Sequence, residues 1–275
     1  MKSKFNFINF LFGIIILGSI LVPIIWMFMT SLKKSFAVIA SPWSFPTHPQ
    51  WINYVHAWNQ GGIGHALFNT TLIASITLII LLPIGAMTAY ILAKYPFKGS
   101  QTIFGLYLGG MMFPFFLVMV PLFELMTQFH LYDTKTGLIL IYVAYSLSFT
   151  VFVLNGFFQM LPNELMEAAM LDGCSDHRTF WAIMMPLARP GMLVVGVFNA
   201  IGLWNEFALA FVLMPSSSNR TLPLAIANLS SAQQYESDWG ALFAGLVIVI
   251  VPILFVYWLL RDRIHETMLA GAVKG

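Results

Sequence analysis

The most informative property of this chain is how little charge it carries. Only 9% of its 275 residues are charged, whereas 59% are hydrophobic, and the mean hydropathy is +0.82. Soluble domains contain about 25% charged residues because their surfaces face water. This chain has too few polar groups to cover a soluble globule, so most of its exterior must face lipid. The sequence therefore predicts an all-α integral membrane protein.

Other absences exclude whole classes of function. The chain has one cysteine, Cys174, so no intrachain disulfide and no cysteine-based metal site can form, and we expect no metal. No G-x-x-x-x-G-K-[ST] loop, G-x-S-x-G elbow or H-E-x-x-H helix occurs. We therefore expect neither an enzyme nor an ATP-binding chain. The net charge of +2 comes without a clustered basic face, which argues against a nucleic-acid partner.

Six apolar stretches are long enough to cross a bilayer, whose core of about 30 Å requires about 20 apolar residues per helix. The predicted spans are 8–29, 70–93, 102–126, 138–158, 192–214 and 241–260. Nine of the 13 Lys and Arg residues fall on the side of the N-terminus and four on the other, so the positive-inside rule places both termini in the cytoplasm. We predict one transmembrane domain, 1–275, with a cytosolic tail, 261–275.

The helices should pack as a kinked bundle, because five prolines lie inside the predicted spans: Pro23, Pro83, Pro114, Pro121 and Pro252. Two long loops are predicted on the outer side. The first contains Trp43, Trp51, Tyr54 and Trp58 among prolines and glycines. Two interpretations of these aromatic residues stay open: anchoring at the membrane interface, or a docking surface for an external partner.

The longest inner loop, 161–190, is predicted to form two short helices with a break between them. Pro162 suits a first helical turn, and the glutamates that follow favour a helix N-terminus. Gly173 stands where a helix would close in a left-handed conformation, and Ser175 can cap a second helix.

The second helix of this hairpin would carry four residues at helical spacing on one face, His177, Phe180, Trp181 and Met184. Pro186 and Pro190 are predicted to end it. An ordered, partly apolar hairpin in the cytosol should fit a protein partner. The alternative is an amphipathic connector that lies on the membrane surface.

One segment of the hairpin resembles a known family. Glu167-Ala-Ala-x-x-Asp-Gly173, followed by Phe180, Ile183, Pro186-Leu187 and Pro190, is similar to the EAA motif of permease subunits of binding-protein-dependent ABC importers. In that family this loop is the coupling helix, which inserts into a cleft of the ATPase. The resemblance implies ATPase coupling for seven residues: Glu167, Ala168, Ala169, Asp172, Gly173, Phe180 and Pro186.

Two further segments, Trp204-Asn-Glu-Phe207 and Ala270-Gly-Ala-Val-Lys-Gly275, resemble the shorter, six-helix permease of maltose-type carbohydrate uptake systems. The resemblance implies a six-helix bundle of the type I ABC importer permease kind in the bacterial inner membrane. The tail would contact the ATPase through Gly271, Lys274 and Gly275. Such a subunit translocates a sugar or oligosaccharide by alternating access.

The same resemblance implies the partners. They are a second permease, an extracytoplasmic solute-binding protein, a cytosolic ATPase dimer, the sugar and the lipid bilayer. ATP and Mg²⁺ would be bound by the ATPase, and no cofactor is expected on this chain.

Polar residues inside the spans are costly, about 2.5–3.5 kcal/mol for a mid-helix acidic group. The candidates for a substrate path are Asn155, Asn199, Trp204, Asn205 and Glu206. The other interpretation is hydrogen bonding between helices that fixes the bundle. The alternative function is an ion-coupled secondary transporter of a small polar solute. That class requires coupling carboxylates near the midplane, and the sequence offers one plausible acidic residue, Glu206.

Overall fold

The computed structural model describes residues 7–236 and 238–272. The regular elements within these ranges are all helical, which confirms the predicted fold class. A 3₁₀ turn covers Phe115–Val118 and a π-helical turn covers Phe180–Met184. The α-helices are α1 (Phe7–Ser31), α2 (Ser35–Ala40), α3 (Ile52–Asn59), α4 (Ile63–Lys94), α5 (Ser100–Met112), α6 (Met119–Gln128), α7 (Lys135–Met160), α8 (Glu164–Leu171), α9 (Asp176–Thr179), α10 (Met185–Leu187), α11 (Arg189–Asn205), α12 (Ala208–Leu213), α13 (Leu222–Glu236) and α14 (Trp239–Ala272).

Four helical stretches in the described ranges are long and apolar enough to cross a membrane alone: Asn9–Ser31, Ile63–Lys94, Lys135–Met160 and Trp239–Leu259. Two bent pairs pass the same test only when each pair is taken together. Ser100–Met112 and Phe115–Gln128 are bent by 94°, and Asp176–Leu187 and Arg189–Asn205 by 73°. The described chain thus has four spans, or up to six if each bent pair is one span.

The third predicted span, 102–126, is not one continuous helix. Its first part, α5, ends at Met112, and Phe113 is extended, with φ −76° and ψ 126°. Pro114 follows, and a proline both disfavours the helical conformation of the preceding residue and cannot donate a backbone hydrogen bond. The sequence predicted kinks at such prolines, and here the kink is a full break.

The fifth and sixth predicted spans, 192–214 and 241–260, also differ from the observed helices. The fifth is interrupted, because Glu206 is extended (φ −69°, ψ 123°) between α11 and α12. In the sixth, α14 continues to Ala272, so Gly271 lies in helical backbone, and the cytosolic tail over 261–275 stays a prediction. Lys274 and Gly275 lie outside the described residues. The single domain over 1–275 stays a prediction, and within it the contacts form two compact units.

The first unit comprises residues up to Leu67 together with Leu224–Leu254. The membrane-spanning window of α1 has no buried residue, so its apolar surface is open within the described part of this chain. Buried Asn53 holds the end of α1, because its Nδ2 donates to the carbonyl oxygens of Ser31 and Lys33, both at 2.8 Å.

The second unit comprises Phe68–Pro223 and the chain from Phe255 onward. Its core joins α4, α7, the 161–190 hairpin and α11. A close approach of α4 to α7 is possible because Gly85 lacks a side chain: a Cβ there would lie 2.5 Å from Cγ2 of Thr150. Small residues of this kind let membrane helices pack closely. The hairpin is part of this core, because its residues Phe180 and Met184 are buried there.

Candidate functional site

The first arm of the hairpin is α8, and it ends as the sequence predicts. Gly173 has φ +75°, a left-handed conformation that glycine adopts without steric cost. Its backbone N–H donates to the Met170 carbonyl, and the Cys174 N–H donates to that of Ala169. Ser175 then caps α9 by accepting from the Arg178 backbone N–H at 3.4 Å. The predicted break and cap are both confirmed.

The second arm differs from the prediction that two prolines end it. Pro186 lies inside α10, and Pro190 stands in the first turn of α11, where its missing N–H is no loss. The chain turns by 73° at Ala188, between these helices. A π-helical turn precedes α10, and such turns often occur at functional sites.

The hairpin has one exposed face and one buried face. On the exposed face, Leu171 is 89% exposed and is flanked by exposed Glu167, Ala168, Asp172 and Gly173. A large apolar side chain so exposed, between two acidic residues, is what a protein-docking surface presents. Four of the seven residues assigned to ATPase coupling therefore lie where a partner can reach them.

The other three do not lie on this face. Ala169 and Phe180 are 3% and 4% exposed, and Pro186 is half-buried. Ala169 and Phe180 thus expose almost no surface, and the assignment of these three residues to ATPase coupling stays a prediction. The Phe180 side chain packs into the core of the second unit, because the π-helical turn buries one face there.

An aromatic cluster joins the buried face of the hairpin to two long helices. The ring centroid of Phe180 lies 5.1 Å from that of Tyr90 in α4 and 6.4 Å from that of Phe158 in α7. Tyr90 and Phe158 lie 5.5 Å apart. Since protein cores pack at crystal-like density, a displacement of Phe180 must displace its neighbours.

Two polar side chains, one at the end of α4 and one just after it, hold both arms of the hairpin. Lys94 Nζ donates to the Leu161 carbonyl at 2.5 Å and to Asn163 Oδ1 at 2.8 Å, before the first arm. Tyr95 OH donates to Oδ1 of Asp176, at the start of the second arm, at 2.9 Å. Burial, followed by hydrogen bonding to Tyr90 and Asp176, raises the pKa of the Tyr95 hydroxyl well above its usual value.

A second polar site lies at the break between α11 and α12. Glu206 Oε1 accepts from the Leu209 backbone N–H at 2.7 Å, and Oε2 accepts from that of Ala210 at 3.1 Å. Tyr142 OH in α7 donates to Oε2 at 2.6 Å. The carboxylate thus satisfies the free N–H groups that the break creates, as non-helical backbone at membrane depth requires.

The remaining substrate-path candidates fall into two groups. Asn155 and Asn199 are buried and bond within the bundle, to Ala89 carbonyl (3.4 Å) and Thr150 Oγ1 (2.9 Å) respectively. Asn205 is exposed, and its Nδ2 donates to the carbonyl of Ile201.

Trp204 is half-buried, and its indole N–H has no hydrogen-bond partner among the described residues. The geometry of Asn155 and Asn199 favours the interhelical interpretation. The substrate-path interpretation stays open for three residues, Trp204, Asn205 and Glu206.

Comparison with known proteins decides the family. Residues 81–262 match the family described as "Binding-protein-dependent transport system inner membrane component". The chain belongs to this family. The resemblance carried by the hairpin is thus confirmed, and so is a multi-pass protein of the bacterial inner membrane.

Similar proteins extend the match of this inner membrane component over nearly its whole length. It is 41% identical to the diacetylchitobiose uptake system permease protein NgcG of Streptomyces coelicolor, over 93% of this chain and 84% of that protein. It is 32% identical to the trehalose transport system permease protein SugB of Mycobacterium tuberculosis, over 95% of each.

A crystal structure of a bacterial ABC transporter involved in the import of the acidic polysaccharide alginate contains a chain of the same fold. The TM-score is 0.77 at 21% identity, with 95% of this chain and 98% of that chain covered.

Sequence reasoning missed the partners of the permease's polar groups. Lys94 and Tyr95 lie 67 and 81 residues from the hairpin residues to which they bond, and Tyr142 lies 64 residues from Glu206. The sequence offered one signal, a lysine followed by a tyrosine at the end of an apolar run. This pattern does not identify the residues to which the two side chains bond.

Proposed function

We propose that this chain is the permease subunit of an ATP-driven importer and translocates a sugar or oligosaccharide by alternating access. The observation that carries the proposal is the two-faced hairpin. One face exposes Leu171 between Glu167 and Asp172, and the other face is packed and hydrogen-bonded to α4 and α7. A separate cytosolic ATPase dimer docks on the exposed face, and it binds the ATP and Mg²⁺.

The buried contacts couple movement of the hairpin to movement of α4 and α7. When the ATPase dimer closes on ATP, the hairpin moves with it. Lys94 and Tyr95 transmit the movement to the end of α4, and Phe180 transmits it to Tyr90 and Phe158. The chain itself makes and breaks no covalent bond. Coupling arises because the ATPase has different contacts with the hairpin in the outward- and inward-facing states.

The break at Glu206 supports a substrate path along α11 and α12. Asn205 offers an exposed amide, and the rings of Phe207 and Phe211 are exposed and stacked, with centroids 5.4 Å apart. Amide groups and aromatic faces are the groups that hold hydroxyl-rich sugars. The carbohydrate class is further supported by the names of the similar permeases, which include uptake systems for diacetylchitobiose and trehalose.

The remaining partners follow from the same assignment. A second permease, a different chain, completes the pathway, and an extracytoplasmic solute-binding protein delivers the sugar to the outer loops. Both termini lie in the cytoplasm, and the end of the chain, with Gly271, Lys274 and Gly275, contacts the ATPase.

The test is reconstitution of the purified transporter, with its binding protein, in liposomes. We expect ATP hydrolysis that rises when one sugar of a panel of mono- and disaccharides is added, and uptake of that sugar only with ATP. Uptake driven by a proton or sodium gradient without ATP would instead establish the ion-coupled carrier. Family membership does not favour that alternative.

A further inference from the structure

The segment Ser35–Phe45, which follows α1, exposes an unusual amount of apolar surface. Four of its large side chains are 65–82% exposed: Phe36, Ile39, Trp43 and Phe45. Val38 alone among its large apolar residues is buried, at 7%. The segment therefore attaches to the first unit through one side, and most of the surface of its other, largely aromatic side is exposed among the described residues of that unit.

The segment doubles back to the depth of the spans. The rings of Trp43 and Trp26 lie 5.8 Å apart, and Trp26 Nε1 donates to the Pro42 carbonyl at 3.0 Å. Trp26 lies five residues before the end of α1, about 7 Å inside it at a rise of about 1.5 Å per residue. Phe243 contacts Trp26 at 5.2 Å and lies about 6 Å inside α14 by the same measure. Both rings thus lie about 6–8 Å inside the ends of two candidate membrane spans.

The backbone of the segment is satisfied from within the protein. Lys33 is only 3% exposed, and its Nζ donates to the carbonyls of Ser41 at 3.1 Å and Pro42 at 2.7 Å. The Ser41 N–H donates to Ala37, and the Ser44 N–H donates to Ser41. Irregular backbone at membrane depth is tolerated only when its polar groups are paired in this way.

The charge around the segment suits phospholipid headgroups. The chain contains no Asp or Glu before Glu124, and Lys34 is exposed beside the segment. Among the side chains that the structure describes, one carboxylate, that of Asp238, contacts the segment. Its Oδ1 accepts a hydrogen bond from Ser35 Oγ at 3.0 Å, and its Oδ2 lies 3.3 Å from His56 Nδ1. An aromatic surface that is flanked by an exposed lysine, and whose contacting carboxylate is hydrogen-bonded within the protein, matches an interface lined by phosphates.

We propose that Ser35–Phe45 is a membrane-interface anchor whose partner is phospholipid. Its four exposed apolar side chains enter the headgroup–acyl boundary of the leaflet at the end of α1, and Lys34 lies at the phosphates. Interfacial segments bury their apolar face about 5–10 Å deep, which agrees with the depth given by Trp26 and Phe243. Depth and charge favour lipid over a protein partner.

The test places a fluorescent probe in the segment of the assembled transporter. In a Cys174→Ala background, Ile39→Cys is labelled with an environment-sensitive dye in liposomes of phosphatidylethanolamine and phosphatidylglycerol. The matched control is Thr47→Cys, which is exposed two residues beyond the segment. We expect nitroxide lipids to quench the Ile39 probe at least threefold more than the control probe, and aqueous iodide to quench it at least threefold less.

Equal iodide quenching at both positions would overturn the proposal. So would protection of the Ile39 probe that appears only after the solute-binding protein is added, because the surface would then be a protein-docking site. A second variant tests how the segment is held. Lys33→Met removes the donor to Ser41 and Pro42, and we expect the quenching of the Ile39 probe to change towards that of the control probe. Unchanged quenching of the Ile39 probe would refute this role of Lys33.

Discussion

Leu171→Ser should separate docking of the ATPase from folding of the permease. Leu171 is 89% exposed in this chain, so its replacement should change the free energy of unfolding by no more than about 0.5 kcal/mol. If the side chain becomes buried against the ATPase, its loss removes about 1.5–3 kcal/mol of binding free energy. At about 1.4 kcal/mol per tenfold, the dissociation constant should rise by about 10- to 150-fold.

The assay is a titration of the purified ATPase against the permease in nanodiscs, with the permease's melting temperature measured in parallel. Leu187→Ser is the matched control, because it is the same change at an exposed leucine (45%) at the far end of the hairpin. We expect this control to bind within about threefold of the parent. Unchanged affinity of Leu171→Ser would refute the docking face, and an equal loss from both variants would show that the face is not confined to α8.

Substitutions at three further positions test the local geometry. Gly173→Ala should lower the free energy of unfolding by about 1–2 kcal/mol, and Gly173→Asn should lower it by less. The cost comes from the backbone, since φ is +75° and no atom lies within 4 Å of the position that a Cβ would take. The reverse order in denaturant titrations would contradict this. Tyr142→Phe should lower the free energy of unfolding by about 1–1.5 kcal/mol, because Glu206 loses the hydroxyl that donates to it at 2.6 Å. Denaturant titration measures this loss as well. An unchanged free energy of unfolding would mean that water replaces the hydroxyl. The folded-state pKa of Tyr95 is raised, so its contribution to stability is full below pH about 10 and is lost as pH rises above that value. Tyr95→Phe should therefore flatten the alkaline decline in melting temperature. Parallel declines in the parent and the variant would refute the assignment.

The sequence predicted those features that depend on neighbouring residues. Apolar runs gave the membrane class, and the left-handed Gly173 and the Ser175 cap follow from local backbone chemistry. The family was identified from fixed spacings within one hairpin and is confirmed by the comparisons.

Features that depend on distant residues could not be predicted. A motif gives spacing but not burial, so the sequence did not show that Ala169 and Phe180, two of the residues assigned to ATPase coupling, are buried. A hydropathy run does not distinguish a kink from a break, so the segments with the 94° bend at Pro114 and the interruption at Glu206 were predicted as continuous spans. The contacts of Lys94 and Tyr95 join segments that only the folded chain brings together.

The central claim is that the exposed face of α8 contacts an ATPase. The most direct measurement is photo-crosslinking in intact membranes, with a photoreactive amino acid at Leu171 and, as control, at buried Met166. We expect Leu171 to crosslink to a cytosolic chain that contains a Walker nucleotide-binding loop, and Met166 not to do so. Crosslinks from Leu171 to lipid alone would contradict ATPase docking and make the hairpin a connector on the membrane surface.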